Sequence, residues 1–356
     1  MPQRKSSCEN MEVLYMNGVL LAEVLQNSTL GLEKFWAWIT YVGDPKCVFL
    51  NYFTITYFLD KSLGLSVLWI ALVSEWLNLV FKWFLFGERP FWWVHESGIS
   101  SKLSLQIQQF PSSCETGPGS PSGHCMITGA ALWSVAAALS AYMSHCSQSC
   151  LVKFTPFVLY FLFLLAVGVS RIFILAHFPH QVAAGIVVGA ILGHVLNSQV
   201  PKAKKLGFYV LTSLALILGS SLLYWSVIGI GIDLSWSIHL ATKWCTNAQW
   251  IQLDTRPFSS LTRDAGSVLG LGLALHSPLF QQIRQQKFDR KGTAWCIVLA
   301  LGFVHILDQV PVSVSYHVFF YALNFLKYTL VPWLVMVGTP RFVLFFTKEE
   351  IPAKHK

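Results

Sequence analysis

Charged residues are scarce in this chain of 356 residues. Asp, Glu, Lys and Arg together make up 12% of it, about half of the roughly 25% found in soluble globular domains. So few charges cannot cover the surface of a water-soluble protein of this length, which excludes that class. The hydrophobic residues, 54% of the chain, cluster in runs of about 20 residues, which is long enough to cross a bilayer as a helix.

The first 33 residues lack the compact apolar core of a signal peptide, because Glu9, Glu12, Glu23 and Glu33 interrupt them. We therefore predict that 1–33 is a segment of the mature protein. No stretch between the apolar runs is long enough for a soluble domain, so 1–356 is predicted to be a single membrane-embedded domain.

The apolar runs predict an all-α polytopic membrane helix bundle with about nine transmembrane helices. The first run is irregular because Gly43, Asp44 and Pro45 interrupt it, and the seventh is short and rich in glycine. The predicted spans are 35–55, 66–86, 125–143, 154–176, 182–199, 206–228, 260–279, 294–311 and 318–338.

Basic residues in short loops predict the orientation, since such loops stay in the cytosol. Lys202, Lys204 and Lys205, the loop 284–291 and the tail 341–356 all fall on one side if there are nine spans. That side is predicted to be cytosolic, and 1–33 then lies on the opposite side. The net charge of +8 is spread across these loops, so it predicts topology and no nucleic-acid partner.

Polar residues gather on the other, non-cytosolic side. Glu75, Asn78, Lys82 and Arg89 follow one another at spacings that place them on one helix face. Ionisable residues within a span usually face a bundle interior or an aqueous cavity. The plainer interpretation is that Lys82 extends to the interface and Arg89 lies among headgroups.

A second polar segment is GPGSPSGH, residues 117–124. It precedes an apolar run, so Ser122, Gly123 and His124 should lie at a helix N-terminus, where free N–H groups favour an anion. A plain turn with Ser122 as the N-cap explains the same residues.

A third polar segment is SRIFILAHFPHQ, residues 170–181. Phe178 precedes Pro179 and therefore avoids helical geometry, so His177 should lie at a break between two helices. His180 follows shortly after, and the residues alone do not decide between the two histidines.

Together these segments fit the chemistry of a phosphate monoester. Lys82, Arg89 and Arg171 supply fixed cations for the dianion, and the Ser122–Gly123 turn can supply backbone donors. Two histidines suit a nucleophile and a general acid near neutral pH. No cluster of carboxylates suits a two-metal site, so we expect neither a catalytic metal nor a cofactor.

The three segments resemble the three-part motif of the type 2 phosphatidic-acid phosphatase superfamily. The matching stretches are KWFLFGERP (82–90), GSPSGH (119–124) and SRIFILAH (170–177). Longer stretches resemble the glucose-6-phosphatase catalytic subunit family, and some are most similar to its ubiquitous beta branch. These longer stretches include EWLNLVFKWFLFG (75–87), FWWVHESG (91–98) and RPFSSLTRDAG (256–266).

The resemblance implies a nine-span enzyme of the endoplasmic reticulum membrane whose active site faces the lumen. It would hydrolyse glucose 6-phosphate or a related hexose or hexitol 6-phosphate, and work alongside a separate sugar-phosphate transporter. It also implies roles for residues: His177 attacks phosphorus, and His124 protonates the leaving oxygen and later deprotonates water. The implied phosphate ligands are Lys82, Arg89, Arg171, Ser122 and Gly123.

One position departs from the wider superfamily, in which an acid often orients the nucleophilic histidine. Gln181 stands there instead, and its amide oxygen can accept the Nδ1–H of His177 without stabilising a cation. Glu75 and His180 are further candidates for supporting residues, with Glu75 providing remote charge balance.

Other functions stay open at this stage. A lipid phosphate phosphatase carries the same motifs but normally has six spans. A transporter or channel could use the intramembrane charges as a pathway, and replacing His177 would then leave transport intact. The segment 229–259, with Trp236, Asp233 and Asp254, is either an interfacial loop or a lid that contacts sugar hydroxyls.

Two further features concern a disulfide cross-link and the packing of helices. Cys114 and Cys245 both fall in the predicted oxidising lumen and could form a disulfide. Gly185, Gly189 and Gly193 repeat every four residues, which is typical of close helix packing.

Overall fold

The computed structural model describes residues 2–201, 204–252, 257–286, 288–310 and 317–347. Within them the chain is helical, and its only β-bridge joins Glu115 and Gln252. The helices are α1 Pro2–Ser28, α2 Glu33–Val42, α3 Pro45–Cys47, α4 Phe53–Leu59, α5 Lys61–Leu85, α6 Pro90–Glu96, α7 Ile99–Lys102, α8 Gly123–Cys146, α9 Cys150–Phe173, α10 Pro179–Asn197, α11 Leu206–Gly229, α12 Trp236–Trp244, α13 Pro257–His276, α14 Pro278–Ile283, α15 Arg290–Gln309, α16 His317–Trp333 and α17 Thr339–Thr347. Short π-helices occupy Val48–Tyr52 and Leu334–Gly338, and a 3₁₀ turn occupies Ala248–Trp250.

Helix α8 lies at the centre of the bundle and packs against α5, α9 and α10. The contact with α10 is close because of three glycines. A Cβ added to Gly185 would lie 2.7 Å from the Ser122 carbonyl oxygen, and one added to Gly189 would lie 2.6 Å from that of Met126. At Gly193 it would lie 2.4 Å from Trp133 Cβ, so the predicted packing role of this glycine repeat is confirmed.

A second group of helices, α11, α13 and α16, joins this core where α13 contacts α5. A buried ion pair lies at that contact. Arg263 Nε donates to Glu75 Oε2 at 2.9 Å, and a second guanidinium nitrogen binds Oε1. Glu75 therefore has a partner 188 residues away. Asn78 Nδ2 donates to the Pro121 carbonyl at 3.3 Å.

Among the described residues, seven helical segments are long and apolar enough to cross a membrane. They correspond to seven of the predicted spans, and the outer faces of α9 and α11 expose leucines such as Leu162 and Leu218. Such broad exposed apolar surfaces are typical of contact with lipid. The protein is thus a multi-pass membrane protein.

The other two predicted spans differ from that pattern. The span 35–55 breaks at Gly43–Asp44 and continues as α3, a π-helix and α4. The span 260–279 is helical as α13, but it carries Arg263 and Asp264 within the helix. The number nine therefore stays a prediction.

Several predicted cytosolic residues lie outside the described residues, namely Lys202, Lys287 and 348–356. Three of the described ones lie near the end of α5 that is opposite Lys82. Lys204, Lys205 and Arg284 line one cavity with Ser62 at the start of α5, whereas Lys82 lies at its other end. The predicted N-terminal segment 1–33 contains α1, which packs on α6 and α9.

Candidate active site

The turn after α5 directs the chain that carries Arg89 back toward the bundle. Helix α5 ends at Leu85 because Phe86 and Gly87 adopt left-handed conformations, with φ of 55° and 83°. The Gly87 carbonyl accepts the Gly119 N–H at 2.8 Å, which joins this turn to the second polar segment. Arg89 lies past the end of α5, so the prediction that it shares a helix face with Lys82 is wrong.

Arg89 is fully buried and held by backbone carbonyls. Its Nε donates to Gly117 at 2.7 Å, Nη1 donates to Ala176 at 3.0 Å, and Nη2 donates to Pro118 at 3.1 Å. These bonds fix the guanidinium between the second and third polar segments. A cation oriented in this way needs little rearrangement when an anion binds.

His177 lies at the predicted break between two helices. Helix α9 ends at Phe173, Leu175 adopts a left-handed conformation with φ of 59°, and α10 begins at Pro179. The His177 ring is buried, with Nε2 at 3.3 Å from Arg89 Nη1.

The other ring nitrogen of His177 faces two acceptors. Nδ1 lies 2.8 Å from the Gly119 carbonyl oxygen and 3.3 Å from Gln181 Oε1. Because both partners accept, Nδ1 must carry the proton, and Nε2 has the lone pair, which faces the Arg89 Nη1 donor. Gln181 is itself fixed, since its Nε2 donates to the Glu88 carbonyl at 2.7 Å.

Burial, followed by the Arg89 charge, lowers the pKa of His177 well below its usual value. The imidazole is therefore neutral near pH 7, which is the form that can act as a nucleophile.

A carboxylate that the motifs do not contain lies between the arginines. Glu115 Oε2 is 2.8 Å from Arg89 Nη2, and Glu115 Oε1 binds Arg171 Nη2. All three side chains are buried. Although burial opposes ionisation, the charges of Arg89 and Arg171 hold the pKa of Glu115 well below its usual range. An anion between these two arginines is thus strongly favoured.

His124 lies beside the same centre, in the first turn of α8. Its Nδ1 is 3.9 Å from Glu115 Oε1, and its Nε2 is 3.3 Å from Asp44 Oδ2. The second polar segment therefore delivers a histidine to the arginine pair, as its sequence predicts.

The N-terminus of α8 begins at Gly123 with Ser122 as the N-cap. The Ser122 N–H donates to the Gln181 carbonyl at 3.1 Å, so it is occupied. The buried Ser122 hydroxyl has no nitrogen or oxygen partner in the described part of the chain, and neither does Arg171 Nε. These two groups can still donate to an anion.

A cavity of about 360 Å³ opens beside this cluster. Lys82, His124, Arg171 and Glu115 line one end of it. The remaining lining mixes apolar side chains, such as Leu50, Leu79 and Ile127, with polar ones; the polar ones include Lys46, Asn51, Glu75, Arg263, His305 and Asp308.

Two candidates lie outside the cluster. His180 stacks on Tyr15 and Phe178, with ring centroids 5.6 and 5.8 Å apart, and so is separated from the arginines. In the segment 229–259, Asp233 caps α12 by accepting the Ser235 N–H at 2.8 Å. Among the described residues of that segment, Gln252 lines the cavity, and Asp254 lies outside the described residues.

The segment 229–259 is nevertheless fixed to the site. Cys114 and Cys245 form a disulfide, in agreement with their predicted shared compartment. Gln252 N–H donates to the Cys114 carbonyl at 2.9 Å, next to Glu115. The disulfide therefore anchors the strand-like stretch that carries the carboxylate.

Comparison with known proteins identifies the family. The PAP2 superfamily profile matches residues 63–205. Glucose-6-phosphatase 3 of Homo sapiens is 54% identical over 347 residues, which cover 97% of this chain and 99% of that protein. The chain belongs to the glucose-6-phosphatase family. Glucose-6-phosphatase catalytic subunit 1 of Haplochromis nubilus is 38% identical, covering 91% of this chain and 96% of that protein. Glucose-6-phosphatase 2 of Homo sapiens is 34% identical, covering 95% and 98%.

The family predicted from the three motifs is thereby confirmed. As a member of the glucose-6-phosphatase family, the chain is a phosphoric monoester hydrolase. No solved structure shows significant similarity to it.

Sequence reasoning missed Glu115 as a member of the site and noted Asp44 only as an interruption of the first span. Glu115 directly follows Cys114 and precedes the glycine- and proline-rich loop, and that position was the available signal. Asp44 lies outside the stretch that the superfamily profile matches, so no motif marks it.

Proposed function

We propose that the chain hydrolyses glucose 6-phosphate, or a closely related hexose or hexitol 6-phosphate, through a phosphohistidine on His177. The observation that carries this proposal is the convergence of Arg89, Arg171 and His124 on one anion-binding centre beside His177. Three distant stretches of chain supply these residues, in the order that the family motif requires.

The first step of the proposed reaction uses the lone pair of His177 Nε2. It attacks phosphorus, and the bond to the sugar oxygen breaks. Nδ1–H stays on the Gly119 carbonyl, 2.8 Å away, so the ring keeps its orientation as it becomes phosphorylated. Gln181 adds a second acceptor, in agreement with the role expected from its position.

The phosphate dianion takes the place between Arg89 and Arg171 where Glu115 lies in the free chain. Lys82 lines the same cavity, and the Ser122 hydroxyl and Arg171 Nε add donors. Gly123 begins α8 at this point, so its helix N-terminus faces the anion. These groups stabilise the charge that develops on the phosphoryl oxygens.

His124 supplies the proton that the leaving sugar oxygen needs. In the second step it takes a proton from the water that attacks the phosphohistidine, which releases phosphate and restores both histidines. One group serves in both directions because an imidazole can both donate and accept a proton.

The polar groups in the cavity wall favour a sugar over a lipid. Beyond the anion centre its walls carry Asn51, His305 and Asp308, and His305 Nε2 lies 2.7 Å from Asn51 Oδ1. Hydroxyl groups can exchange hydrogen bonds with such walls. Acyl chains would instead displace water from these walls without offering them hydrogen bonds.

We also propose that the site faces the lumen of the endoplasmic reticulum, with the C-terminus in the cytosol. The opposite end of the bundle carries Lys204, Lys205 and Arg284, which agrees with the cytosolic side in the positive-inside rule. A lumenal site needs a separate sugar-phosphate transporter to deliver its substrate.

The test compares wild type, His177→Ala and His180→Ala in detergent-opened microsomes without added metal. Wild type should release phosphate from glucose 6-phosphate and form an acid-labile phosphoenzyme. His177→Ala should lose both, whereas His180→Ala should keep most activity because its ring stacks on Tyr15 outside the cluster. Normal hydrolysis by His177→Ala would refute the mechanism.

A substrate panel and sealed vesicles complete the test. If the enzyme prefers phosphatidic acid to hexose and hexitol 6-phosphates, the sugar assignment is wrong and the chain is a lipid phosphatase. Equal activity in sealed and opened vesicles lacking the transporter would refute the lumenal site.

A further inference from the structure

His124 lies between two carboxylates that face opposite ring nitrogens. Nε2 is 3.3 Å from Asp44 Oδ2, and Nδ1 is 3.9 Å from Glu115 Oε1. The histidine is buried, so contacts within the protein orient its ring. The two sides of the ring therefore have different tasks.

The Nδ1 side faces the anion-binding centre. Glu115 marks that centre because its two carboxylate oxygens bind Arg89 and Arg171. A phosphate group held by the same arginines would present its leaving oxygen to Nδ1. The Nε2 side faces Asp44, which lines the same cavity.

Asp44 is held rigidly beside the ring. It is the N-cap of α3, and its Oδ1 accepts the Lys46 N–H at 2.7 Å, which leaves Oδ2 directed at His124. The preceding Gly43 carbonyl accepts a hydrogen bond from Thr128 Oγ1 at 2.8 Å. Thr128 lies one turn after His124 on α8, so one helix fixes both the histidine and the turn that carries Asp44.

We propose that Asp44 is a positioning residue that holds the Nε2–H of His124 and so reserves Nδ1 for proton transfer. This inference rests on the proposed phosphatase mechanism. In the first step, the Nδ1 proton passes to the sugar oxygen as its bond to phosphorus breaks and the bond from phosphorus to His177 Nε2 forms. In the second step, water forms a bond to phosphorus, the P–N bond breaks, and the water proton passes to Nδ1.

Asp44 contributes to both steps through the same contact. Its carboxylate stabilises the imidazolium that donates the first proton, and it keeps the neutral ring in the tautomer whose Nδ1 lone pair accepts the second. A carboxylate that orients the histidine of a catalytic triad has the same two effects in serine proteases.

The test separates proton transfer from folding by changing the leaving group. A sugar alcohol leaves only if it is protonated, whereas p-nitrophenolate leaves without a proton. Asp44→Asn keeps a cap oxygen for Lys46 N–H but removes the charge facing His124. With glucose 6-phosphate, kcat should fall by about 10- to 100-fold, because general acid–base catalysis contributes roughly 10²–10⁴, while KM changes little.

With p-nitrophenyl phosphate, the variant should release a rapid burst of one p-nitrophenol per active enzyme. The slow phase that follows should be reduced, since hydrolysis of the phosphohistidine still needs His124 as a base. Asp60→Asn is the matched control: Asp60 is likewise an N-cap aspartate, accepting the Ser62 N–H at 2.8 Å at the other end of α5. It should behave as wild type with both substrates.

Loss of the burst together with glucose 6-phosphate activity, or full activity of Asp44→Asn, would overturn the assignment. If Asp44→Asn does not fold, Thr128→Val carries the test, because it releases the turn without touching the carboxylate. Loss of glucose 6-phosphate turnover with the p-nitrophenol burst retained supports the assignment, and loss of the burst overturns it. Failure of wild type to hydrolyse glucose 6-phosphate would instead refute the proposed function.

Discussion

Glu115 gives the most direct test of the anion-binding centre. Its carboxylate bridges Arg89 and Arg171, which are both fully buried, and their charges keep the pKa of Glu115 well below its usual range. Glu115→Gln keeps the size of the side chain but removes the internal anion. Two buried arginines then lack a counter-ion in the free protein.

The expected magnitudes follow from the burial of this pair. Removal of one partner of a buried ion pair costs about 3–5 kcal/mol. In domains of 150–250 residues each kcal/mol lowers Tm by about 2–4 °C, and for this longer chain we expect a fall of roughly 5–10 °C. In wild type, inorganic phosphate must displace the Glu115 carboxylate from the arginines. In Glu115→Gln it binds them without that competition. We therefore expect the variant to bind phosphate about tenfold more tightly, which adds about 1.4 kcal/mol of stabilisation at a given saturating concentration.

The assay is thermal unfolding of the detergent-solubilised protein with and without phosphate. Without phosphate, Glu115→Gln should unfold at a lower temperature than wild type. Added phosphate should raise its Tm by more than it raises that of wild type. Glu96→Gln is the control, since Glu96 pairs with Lys243 at 2.7 Å on the surface. A smaller phosphate shift in Glu115→Gln than in wild type would show that the carboxylate recruits the anion and does not occupy its place.

Two further predictions concern the covalent anchor and the nucleophile. Cys114→Ser and Cys245→Ser should each destabilise the fold by about 2–5 kcal/mol, because the disulfide closes a loop with a sequence separation of 131. The double variant should lose no more than either single variant in thermal unfolding, and twice the loss would contradict the pairing. Burial and Arg89 hold the pKa of His177 well below 6.5, so the ring should stay neutral as pH falls from 7.5 to 6. The kcat/KM for p-nitrophenyl phosphate, corrected for the fraction of dianion, should then stay level over that range, and an inflection near pH 6.5 would contradict a depressed pKa.

Much of the site could be predicted because its residues lie in short, ordered stretches of sequence. The break at Pro179 places His177 between two helices through local backbone restrictions alone. The start of α8 at Gly123 likewise places His124 at a helix N-terminus. Where a local prediction was wrong, a turn was responsible: Phe86 and Gly87 end α5 before Arg89, and a helical spacing rule does not apply beyond a helix end.

The pairing of charges could not be predicted in the same way. Arg263 binds Glu75 across 188 residues, and Glu115 binds Arg171 across 56. Such partners are selected by the packing of α5 against α13 and by the disulfide, which the hydrophobic pattern does not specify. The residues alone left the choice between His177 and His180 open, the motif resemblance selected His177, and the fold directs its ring toward Arg89.

By itself, the sequence determined that this protein is a multi-pass helical membrane protein with the phosphatase motif, because span length, charge content and motif spacing are properties of local chain stretches. Only the tertiary structure decided that Glu115 lies between the arginines and that Asp44 faces His124. Those positions depend on which helices meet within the bundle, and a carboxylate acquires its chemical role from the cations and rings that packing places beside it.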